Sequence, residues 1–186
     1  MNGRRSSFGN ARPNSTVLIE AHIPELRRFA RALLRGDRES ADDLVQDCLE
    51  RALSRCHQCR SEGDLRSWIY TILYNRFLSD QQRRRRRPEH DALTGVLEDD
   101  FPRSDGGQEG ALVQRDLLRG FAQLPEEQRS VLLLVGVEDF SYAEAARILG
   151  VPIGTVMSRL SRGRERLREY MDGDGARSRS PLATAK

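Results

Sequence analysis

The chain has 186 residues, of which 32% are charged, and a formal net charge of +3. Its longest apolar stretch, residues 131–137, is too short to cross a membrane, and the first ten residues lack the apolar core of a signal peptide, so we expect a cytosolic protein. Three cysteines are an odd number in that reducing compartment and argue against a disulfide framework.

Charge is distributed unevenly along the chain. Residues 1–87 contain 18 Arg against 11 acidic residues, whereas residues 88–110 contain seven acidic residues and one Arg. This asymmetry favours a polyanionic partner for the first part and a solvated acidic linker after it. Thirty of the 31 basic residues are Arg, which suits bidentate contacts to phosphates and bases, although GC-rich coding accounts for the bias equally well.

Two helices are predicted at the start of the chain. Residues 1–14 are polar and aperiodic, which indicates a disordered N-terminus. Helical spacing of apolar residues begins at Leu26 and ends at Gly36. Ser40 and Asp43 resemble a capping box, so we expect a second helix to begin there. The apolar positions of that second helix are Leu44, Val45, Cys48, Leu49, Ala52 and Leu53.

A third helix follows residues 56–64, which have no period and are expected to form a loop. It starts at about Asp64 and ends in the Arg run 83–87, because Pro88 cannot continue a helix. The positions predicted to face inward are Leu65, Trp68, Ile69, Ile72 and Leu73.

The second half begins with residues 88–110, whose acidic, Gly and Pro content is typical of a flexible linker. A fourth helix is predicted over roughly residues 112–121. Pro125 then opens a fifth helix, whose VLLLV segment at 131–135 is apolar on every side. We therefore expect this helix to be the buried centre of a second domain, and the tail after Gly173 to be disordered.

Two short helices joined by a tight turn are predicted next. Ser141 and Glu144 form a capping-box pattern at the start of the first, and Gly150 ends it. Its inward residues are Tyr142, Ala145, Ala146 and Leu149. The following helix has a narrow apolar stripe opposite a wide cationic face, and the stripe is formed by Val156, Leu160 and Leu167. This pattern is typical of a helix-turn-helix, and the alternative is a surface helix whose arginines face water.

The outward face and flank of this last helix supply the candidates for base recognition in the major groove. Arg can bond guanine bidentately, and a Met side chain can contact a thymine methyl group. The candidates are Thr155, Met157, Ser158, Arg159, Ser161, Arg162 and Arg164.

Three separated segments resemble one protein family. The run LPEEQRSVLLLVGVEDFSYAEAARILGVPIGTVMSRLSRGRERL, residues 124–167, resembles the promoter −35 recognition domain of bacterial sigma factors of the extracytoplasmic-function group. DDLVQDCLERAL, residues 42–53, is similar to the polymerase-binding helix of that group. Residues 64–87 are similar to its −10 element and strand-opening segment. The matches follow the family's order, with an acidic linker between them.

The resemblance implies an all-α fold of two small helical domains joined by a flexible acidic linker, the second containing the helix-turn-helix. It implies a domain over 15–87 that binds core RNA polymerase and melts the −10 region. The second domain, over 111–171, recognises the −35 element, and 172–186 form a disordered tail. Control by an anti-sigma protein that wedges between the domains is a further expectation from the family.

The acidic face of the second helix is dense in carboxylates, which are either solvated or docked against basic groups. The resemblance implies docking on core RNA polymerase through Asp43, Gln46 and Asp47, and Glu50 on the same face is a further candidate for this contact.

Residues 64–87 combine cations with the aromatic residues Trp68, Tyr70, Tyr74 and Phe77, a composition that suits unstacked single-stranded bases. The spacing of Trp68 also fits core packing, and the Arg run at 83–87 fits phosphate contacts or an exposed charged helix end. By resemblance, Asn75 lines a pocket for a flipped −10 base, together with the loop 56–64. The −10 candidates are Ser67, Trp68, Asn75, Arg76, Arg83 and Arg84.

Cys56 and Cys59 have the C-x₂-C spacing of a zinc site, but no second pair follows, so reduced thiols are favoured over metal or redox sensing. We find no catalytic constellation and expect neither an enzyme nor a cofactor. The rival interpretations are a stand-alone helix-turn-helix regulator and a sigma-like decoy that sequesters an anti-sigma protein. Met157 replaces the Lys or Arg common in the family, which bears on which −35 sequence is recognised.

Overall fold

The computed structural model describes residues 18–56, 65–86 and 107–178, and across these ranges it is all helical. A single helical turn at 18–20 precedes the main elements. The main elements are α1 (Ile23–Leu33), α2 (Arg38–Arg55), α3 (Leu65–Arg86), α4 (Gly107–Gln123), α5 (Glu126–Gly136), α6 (Tyr142–Leu149) and α7 (Ile153–Ser178). The all-α fold predicted from the sequence is confirmed.

Helices α1, α2 and α3 pack on one another and form what we call the N-terminal bundle. Its core contains Leu26 and Phe29 of α1 together with Val45 and Cys48 of α2, all almost completely buried. Most apolar positions of α2 face inward as predicted, but Leu53 is 40% exposed and the prediction for it is wrong. It lies in the last turn of α2.

The start of α2 differs from the prediction, because the N-cap is Asp37 rather than Ser40. The Asp37 carboxylate accepts a hydrogen bond of 3.1 Å from the Ser40 backbone N–H. Arg35 and Gly36 have φ angles of 56° and 87°, so the chain leaves α1 through the left-handed region. Asp37 is the next residue with extended backbone, which makes it the cap.

Helices α4 to α7 form what we call the C-terminal bundle, in which α7 contacts each of the other three. The VLLLV segment of α5 is its centre as predicted, with residues 131–134 buried. Two glycines permit close packing of helices: Gly120 lets α4 approach α7, and Gly163 lets α7 approach α5. A Cβ on Gly120 would lie 2.7 Å from Tyr170 Cδ1, and one on Gly163 would lie 2.7 Å from Leu132 Cδ1.

Several predicted boundaries shift in the second half. Helix α4 begins at Gly107, inside the range predicted as linker, and α7 continues to Ser178, into the range predicted as disordered tail. The residues of both extensions are mostly polar or small, so no apolar period indicated a helix there. Residues 1–14, most of the loop 56–64 and residues 88–106 lie outside the described ranges.

The two bundles also contact each other. Helix α3 packs against α6, and α1 packs against α5. The sequence predicted two domains joined by a linker and gave no indication of this contact.

Candidate polymerase and nucleic-acid interfaces

The carboxylate row of α2 lies on the protein surface. Asp43, Gln46 and Glu50 are exposed, and Gln46 Nε2 donates a 3.2 Å hydrogen bond to Glu50 Oε1. Asp47 is half-buried and lies 2.6 Å from Arg76 Nη2. A basic partner could therefore reach this face, and Asp47 already has one cation beside it.

Candidates for polymerase binding and for −10 binding line one open groove of about 420 Å³ between α2 and α3. Its charged walls include Asp43 and Asp47 on one side and Arg76, Arg83 and Arg84 on the other. The groove joins two sets of residues that the sequence analysis treated separately.

Asp80 is a member of this groove that the sequence analysis missed. Its carboxylate lies 3.3 Å from Arg76 Nε and 3.8 Å from Arg83 Nη1. The sequence did contain a signal for these ion pairs, because Asp80 lies four residues after Arg76 and three before Arg83 on one predicted helix. With Asp47 and Asp80 beside it and only 16% of its side chain exposed, Arg76 has its charge compensated within the protein.

The remaining −10 candidates differ in accessibility. Asn75 is exposed, and Arg83 and Arg84 have 71% and 54% of their side chains exposed. Arg84 Nη2 donates to Ser40 Oγ at 2.6 Å. Ser67 is buried, and its carbonyl accepts a hydrogen bond from the hydroxyl of the residue four positions later. Trp68 is half-buried against the core, as its spacing with apolar neighbours indicated.

The predicted aromatic surface for unstacked bases is wrong in this arrangement. Tyr70, Tyr74 and Phe77 are each less than 5% exposed. Tyr70 packs between Phe29 of α1 and Phe140 of the C-terminal bundle, at ring-centroid distances of 5.1 and 4.9 Å. Helix α3 can bury this many aromatics because α1, α2 and α6 all pack against it.

Burial also controls the ionisation of the two tyrosines. It raises the pKa of Tyr70 strongly, and the neighbouring Glu138 carboxylate raises it further. Burial likewise raises the pKa of Tyr74, partly opposed by a hydrogen bond with Ser130 of α5. Both tyrosines are therefore neutral hydrogen-bonding groups.

The helix-turn-helix has the predicted geometry. The Ser141 side chain accepts from the Glu144 backbone N–H, and the Glu144 carboxylate accepts from the Ser141 N–H, which completes the capping box. The Ser141 hydroxyl also donates to Glu144 Oε2 at 2.6 Å, and this bond, together with the one from the Ser141 N–H, lowers the pKa of the Glu144 carboxyl. Gly150 ends α6 in the left-handed region with φ 65°. Tyr142 is 36% exposed, so its predicted inward position is wrong.

The apolar stripe of α7 packs as predicted, with Val156 and Leu160 buried and Leu167 half-buried. On the opposite side, the exposed candidates are Met157, Ser158, Ser161, Arg162 and Arg164. Thr155 and Arg159 are half-buried. Arg159 Nη2 lies 3.3 Å from Glu127 Oε2, and 22% of the Arg159 side chain is exposed.

Ile153 belongs to this surface and was missed. It is 46% exposed, one turn before Met157, which is 47% exposed. Two apolar side chains at this spacing present a methyl-rich patch beside the polar candidates. An apolar residue next to Pro152 in the turn was the only available signal.

Cys48 cannot serve as a surface thiol. It is fully buried, its Sγ lies 3.6 Å from the Ile69 carbonyl oxygen, and burial raises its pKa to about 12. Cys56 is half-buried and Cys59 lies outside the described residues. Within the described ranges, no three His, Cys, Asp or Glu side chains are placed to hold a metal ion. None of the helices described is long and apolar enough to span a membrane.

Comparison with known proteins finds family matches in two segments of the chain. Residues 19–74 match the family model described as the Sigma2 domain of PhyR, and residues 114–167 match the model of Sigma-70 region 4. The ECF RNA polymerase sigma factor EcfG of Rhodopseudomonas palustris is 39% identical over 168 residues, covering 90% of this chain and 91% of that protein. The chain belongs to the extracytoplasmic-function sigma factors.

Two further relatives agree with this membership. The ECF sigma factor SigM of Mycobacterium tuberculosis is 36% identical over 153 residues, covering 81% of this chain and 73% of that protein. Among solved structures, the sigma factor RpoE of Bartonella quintana in complex with the anti-sigma factor NepR superposes with a TM-score of 0.69 at 33% identity. That match covers 86% of this chain and 95% of the other.

The family matches correspond to the helical groups of this sigma factor. The first covers α1, α2 and the first ten residues of α3, and the second runs from α4 into the middle of α7. The exposed α2 carboxylates therefore lie in the sigma-2 module. The α7 side chains up to Arg164 lie in the region 4 module.

Proposed function

We propose that this chain binds core RNA polymerase and directs transcription initiation at specific promoters, with the N-terminal bundle at the −10 element and the C-terminal bundle at the −35 element. Membership of the sigma factor family, with a cationic helix-turn-helix face exposed on α7, is the observation that carries this proposal. The proposal assigns no catalytic step to the chain and places it in the cytoplasm with its polymerase.

The direct test is run-off transcription with purified chain, core polymerase and genomic DNA fragments. We expect promoter-dependent transcripts that core polymerase alone does not produce. Transcripts should decline steeply with salt, because Arg contacts to phosphates release counterions. A stand-alone regulator or a decoy would leave core polymerase without new transcripts, and that result would overturn the proposal.

We assign polymerase docking to the α2 carboxylates Asp43, Gln46, Asp47 and Glu50. Asp47→Arg places a cation beside Arg76 and should abolish co-purification with core polymerase while sparing binding of the −35 duplex. Arg76 keeps Asp80 as a partner at 3.3 Å and the Asp47 side chain is 43% exposed, so we expect the variant to remain folded, which circular dichroism checks. Glu20→Arg makes the same charge change at an exposed position outside α2. Equal core binding by both variants would contradict the docking face.

We assign −35 recognition to the candidates on α7, from Thr155 to Arg164. Replacing Arg159 and Arg162 by Ala should weaken binding of the −35 duplex, by about 1–3 kcal/mol for each lost bidentate base contact. Arg168→Ala removes an exposed arginine from the same helix two turns from Arg162 and serves as the control. Unchanged promoter selectivity in the double variant would contradict the assignment.

Arg159 must leave Glu127 in order to contact a base. We therefore expect Glu127→Gln to bind the −35 duplex more tightly, since it removes the competing carboxylate 3.3 Å away. Competition binding against a scrambled duplex measures the change, and weaker specific binding would contradict this step.

At the −10 element, we assign contacts to Asn75, Arg83 and Arg84, the candidates with the greatest exposure. Ser67, Trp68 and Arg76 remain candidates only if the neighbouring groups rearrange on binding. Asn75→Ala should slow promoter opening, measured by permanganate reactivity of unpaired thymines, without changing affinity for a −35 duplex. An unchanged opening rate would remove Asn75 from the site.

We further propose that an anti-sigma protein controls this chain. The support is the similar RpoE of Bartonella quintana, whose structure was solved in complex with the anti-sigma factor NepR. The test is whether a host protein that co-purifies with the chain suppresses the run-off product and is displaced by excess core polymerase. Co-purifying proteins that leave transcription unchanged would contradict this part of the proposal.

A further inference from the structure

The segment between α5 and α6, residues 137–140, makes the charged contact between the bundles. The Glu138 side chain has no exposed surface, and Phe140 is 4% exposed. The backbone N–H groups of Glu138 and Phe140 each donate a 2.9 Å hydrogen bond to a carbonyl of the last turns of α5. Asp139 between them has φ 54° and is exposed. The segment is therefore fixed to the C-terminal bundle with two side chains directed away from it.

Both side chains enter a pocket on the N-terminal bundle. Arg28 of α1 donates to Glu138 Oε1 from Nε at 3.1 Å and from Nη2 at 2.9 Å. The Tyr70 hydroxyl donates to Glu138 Oε2 at 2.7 Å, and Arg66 Nη2 donates to it at 3.4 Å. The Arg66 guanidinium also lies 4.3 Å from the centroid of the Phe140 ring.

A buried carboxylate held in this way ties the bundles together strongly. Its desolvation is compensated only while its cationic and hydroxyl partners are present, because an isolated buried charge is costly. All of those partners belong to the other bundle. Separation of the bundles must therefore release Glu138 and its three partners into water at once.

The docked arrangement is too small for the task in the proposed function. The −10 and −35 elements are 25 base pairs apart by their numbering, or about 85 Å at 3.4 Å per base pair. A compact chain of this length has a radius of gyration of about 16 Å and a diameter of about 40 Å. Twenty residues separate α3 from α4. A linker of 20 residues reaches at most about 70 Å when fully extended. Only separated bundles can reach both elements.

We infer that residues 137–140 are an internal latch. Glu138 and Phe140 occupy a pocket formed by Arg28, Arg66 and Tyr70, and this contact holds the free protein in a closed form that core polymerase must open. The occupant of the pocket is the chain's own second module. The inference that core polymerase opens the latch rests on the proposed function. The closed form itself is a property of the free chain and does not depend on that function.

The first test measures the size of the purified full chain by small-angle X-ray scattering. Glu138→Gln keeps the shape of the side chain and removes the charge, so we expect its radius of gyration to exceed that of wild type by about a fifth or more. Asp139→Asn is the matched control. It removes a charge from the same segment, and Asn tolerates the left-handed backbone. The control should retain the wild-type radius.

Equal radii for Glu138→Gln and wild type would overturn the latch, and so would equal expansion of both variants. Circular dichroism checks that helix content is kept. If Glu138→Gln loses helix content, Tyr70→Phe replaces it, because this variant keeps the ring and loses only the hydroxyl that bonds Glu138. Its expansion would support the latch and its wild-type radius would overturn it.

The second test measures binding to core polymerase. Without the latch, the open form needs no release of Glu138, so we expect Glu138→Gln to bind core at least about threefold more tightly than wild type. Equal or weaker binding would overturn the inference that the latch opposes binding to core polymerase. Failure of the proposed function is distinguishable, because it removes promoter-dependent transcription from wild type and leaves the scattering result standing.

Discussion

Gly163 provides a sharp test of how α7 is positioned, because two opposing effects act on one substitution. In the interior of a helix, Ala is more favourable than Gly by up to about 1 kcal/mol. At Gly163, however, the added Cβ would lie 2.7 Å from Leu132 Cδ1 and 3.3 Å from Gln128 Cβ on α5. Carbon atoms in good contact are about 3.5–4.0 Å apart. Gly163→Ala must therefore displace Leu132 and shift α7 slightly.

The displaced side chain has little room to move. Leu132 is only 6% exposed, and Gln128 Cβ is fixed to its backbone and cannot rotate away. Overpacking of this kind costs about 1–3 kcal/mol. Gly173→Ala is the matched control, since Gly173 is also within α7 and no atom lies within 4 Å of its added Cβ. The stability difference between the two variants should therefore be the packing cost, about 1–3 kcal/mol.

Urea unfolding of both variants, followed by circular dichroism, measures this difference. We expect Gly173→Ala to be slightly stabilised and Gly163→Ala to be less stable than wild type. Adding Leu132→Val to Gly163→Ala removes the overlapping Cδ1, so the double variant should recover about 0.5–3 kcal/mol relative to additivity. Equal stabilisation of both Gly→Ala variants would refute the close contact between α5 and α7.

Three further predictions concern local interactions. Ser141→Ala removes the N-cap of α6 and should lower the free energy of unfolding by about 1 kcal/mol. An unchanged urea midpoint would contradict the capping role of Ser141. Glu144 has a lowered pKa, so its contribution is present above the ordinary Glu pKa of about 4.3 and is lost as pH falls through the folded value. The stability difference between wild type and Glu144→Gln, measured in urea from pH 7 to pH 3, should therefore shrink with acid, and a constant difference would contradict the hydrogen-bonded carboxylate. Burial raises the pKa of Cys48 to about 12, so Cys48 should resist alkylation at pH 8 until urea unfolds the chain. The half-buried Cys56 should be labelled first, which mass spectrometry can map. Equal labelling of both cysteines in the native protein would contradict this packing.

The elements that the sequence predicted best depend on neighbours three or four residues apart. The capping box of Ser141 and Glu144, the left-handed end at Gly150 and the inward stripe of Val156 and Leu160 are all of this kind. Each uses contacts within one or two helical turns, so residue spacing alone indicates them. The family resemblance used the same segments, and the comparison with known proteins confirmed it.

The prediction of Ser40 as the N-cap of α2 was wrong because it overlooked Asp37, three residues earlier. Ser40 and Asp37 are both good N-cap residues by type. The choice was made by the left-handed backbone of Arg35 and Gly36, which fixes where the chain leaves α1. A left-handed φ at a non-glycine residue such as Arg35 is uncommon, and the sequence pattern gave no sign of it.

By itself, the sequence determined the helices, the order of the two modules and the cationic face of α7. Tertiary structure decided the burial of Tyr70, Tyr74 and Phe77 and the role of Glu138, since helices distant in the sequence cover these side chains. Glu138 lies 110 positions from Arg28 and 68 from Tyr70 along the chain. Helical periodicity specifies which residues share a face, but only the packed partner determines whether that face meets water or protein.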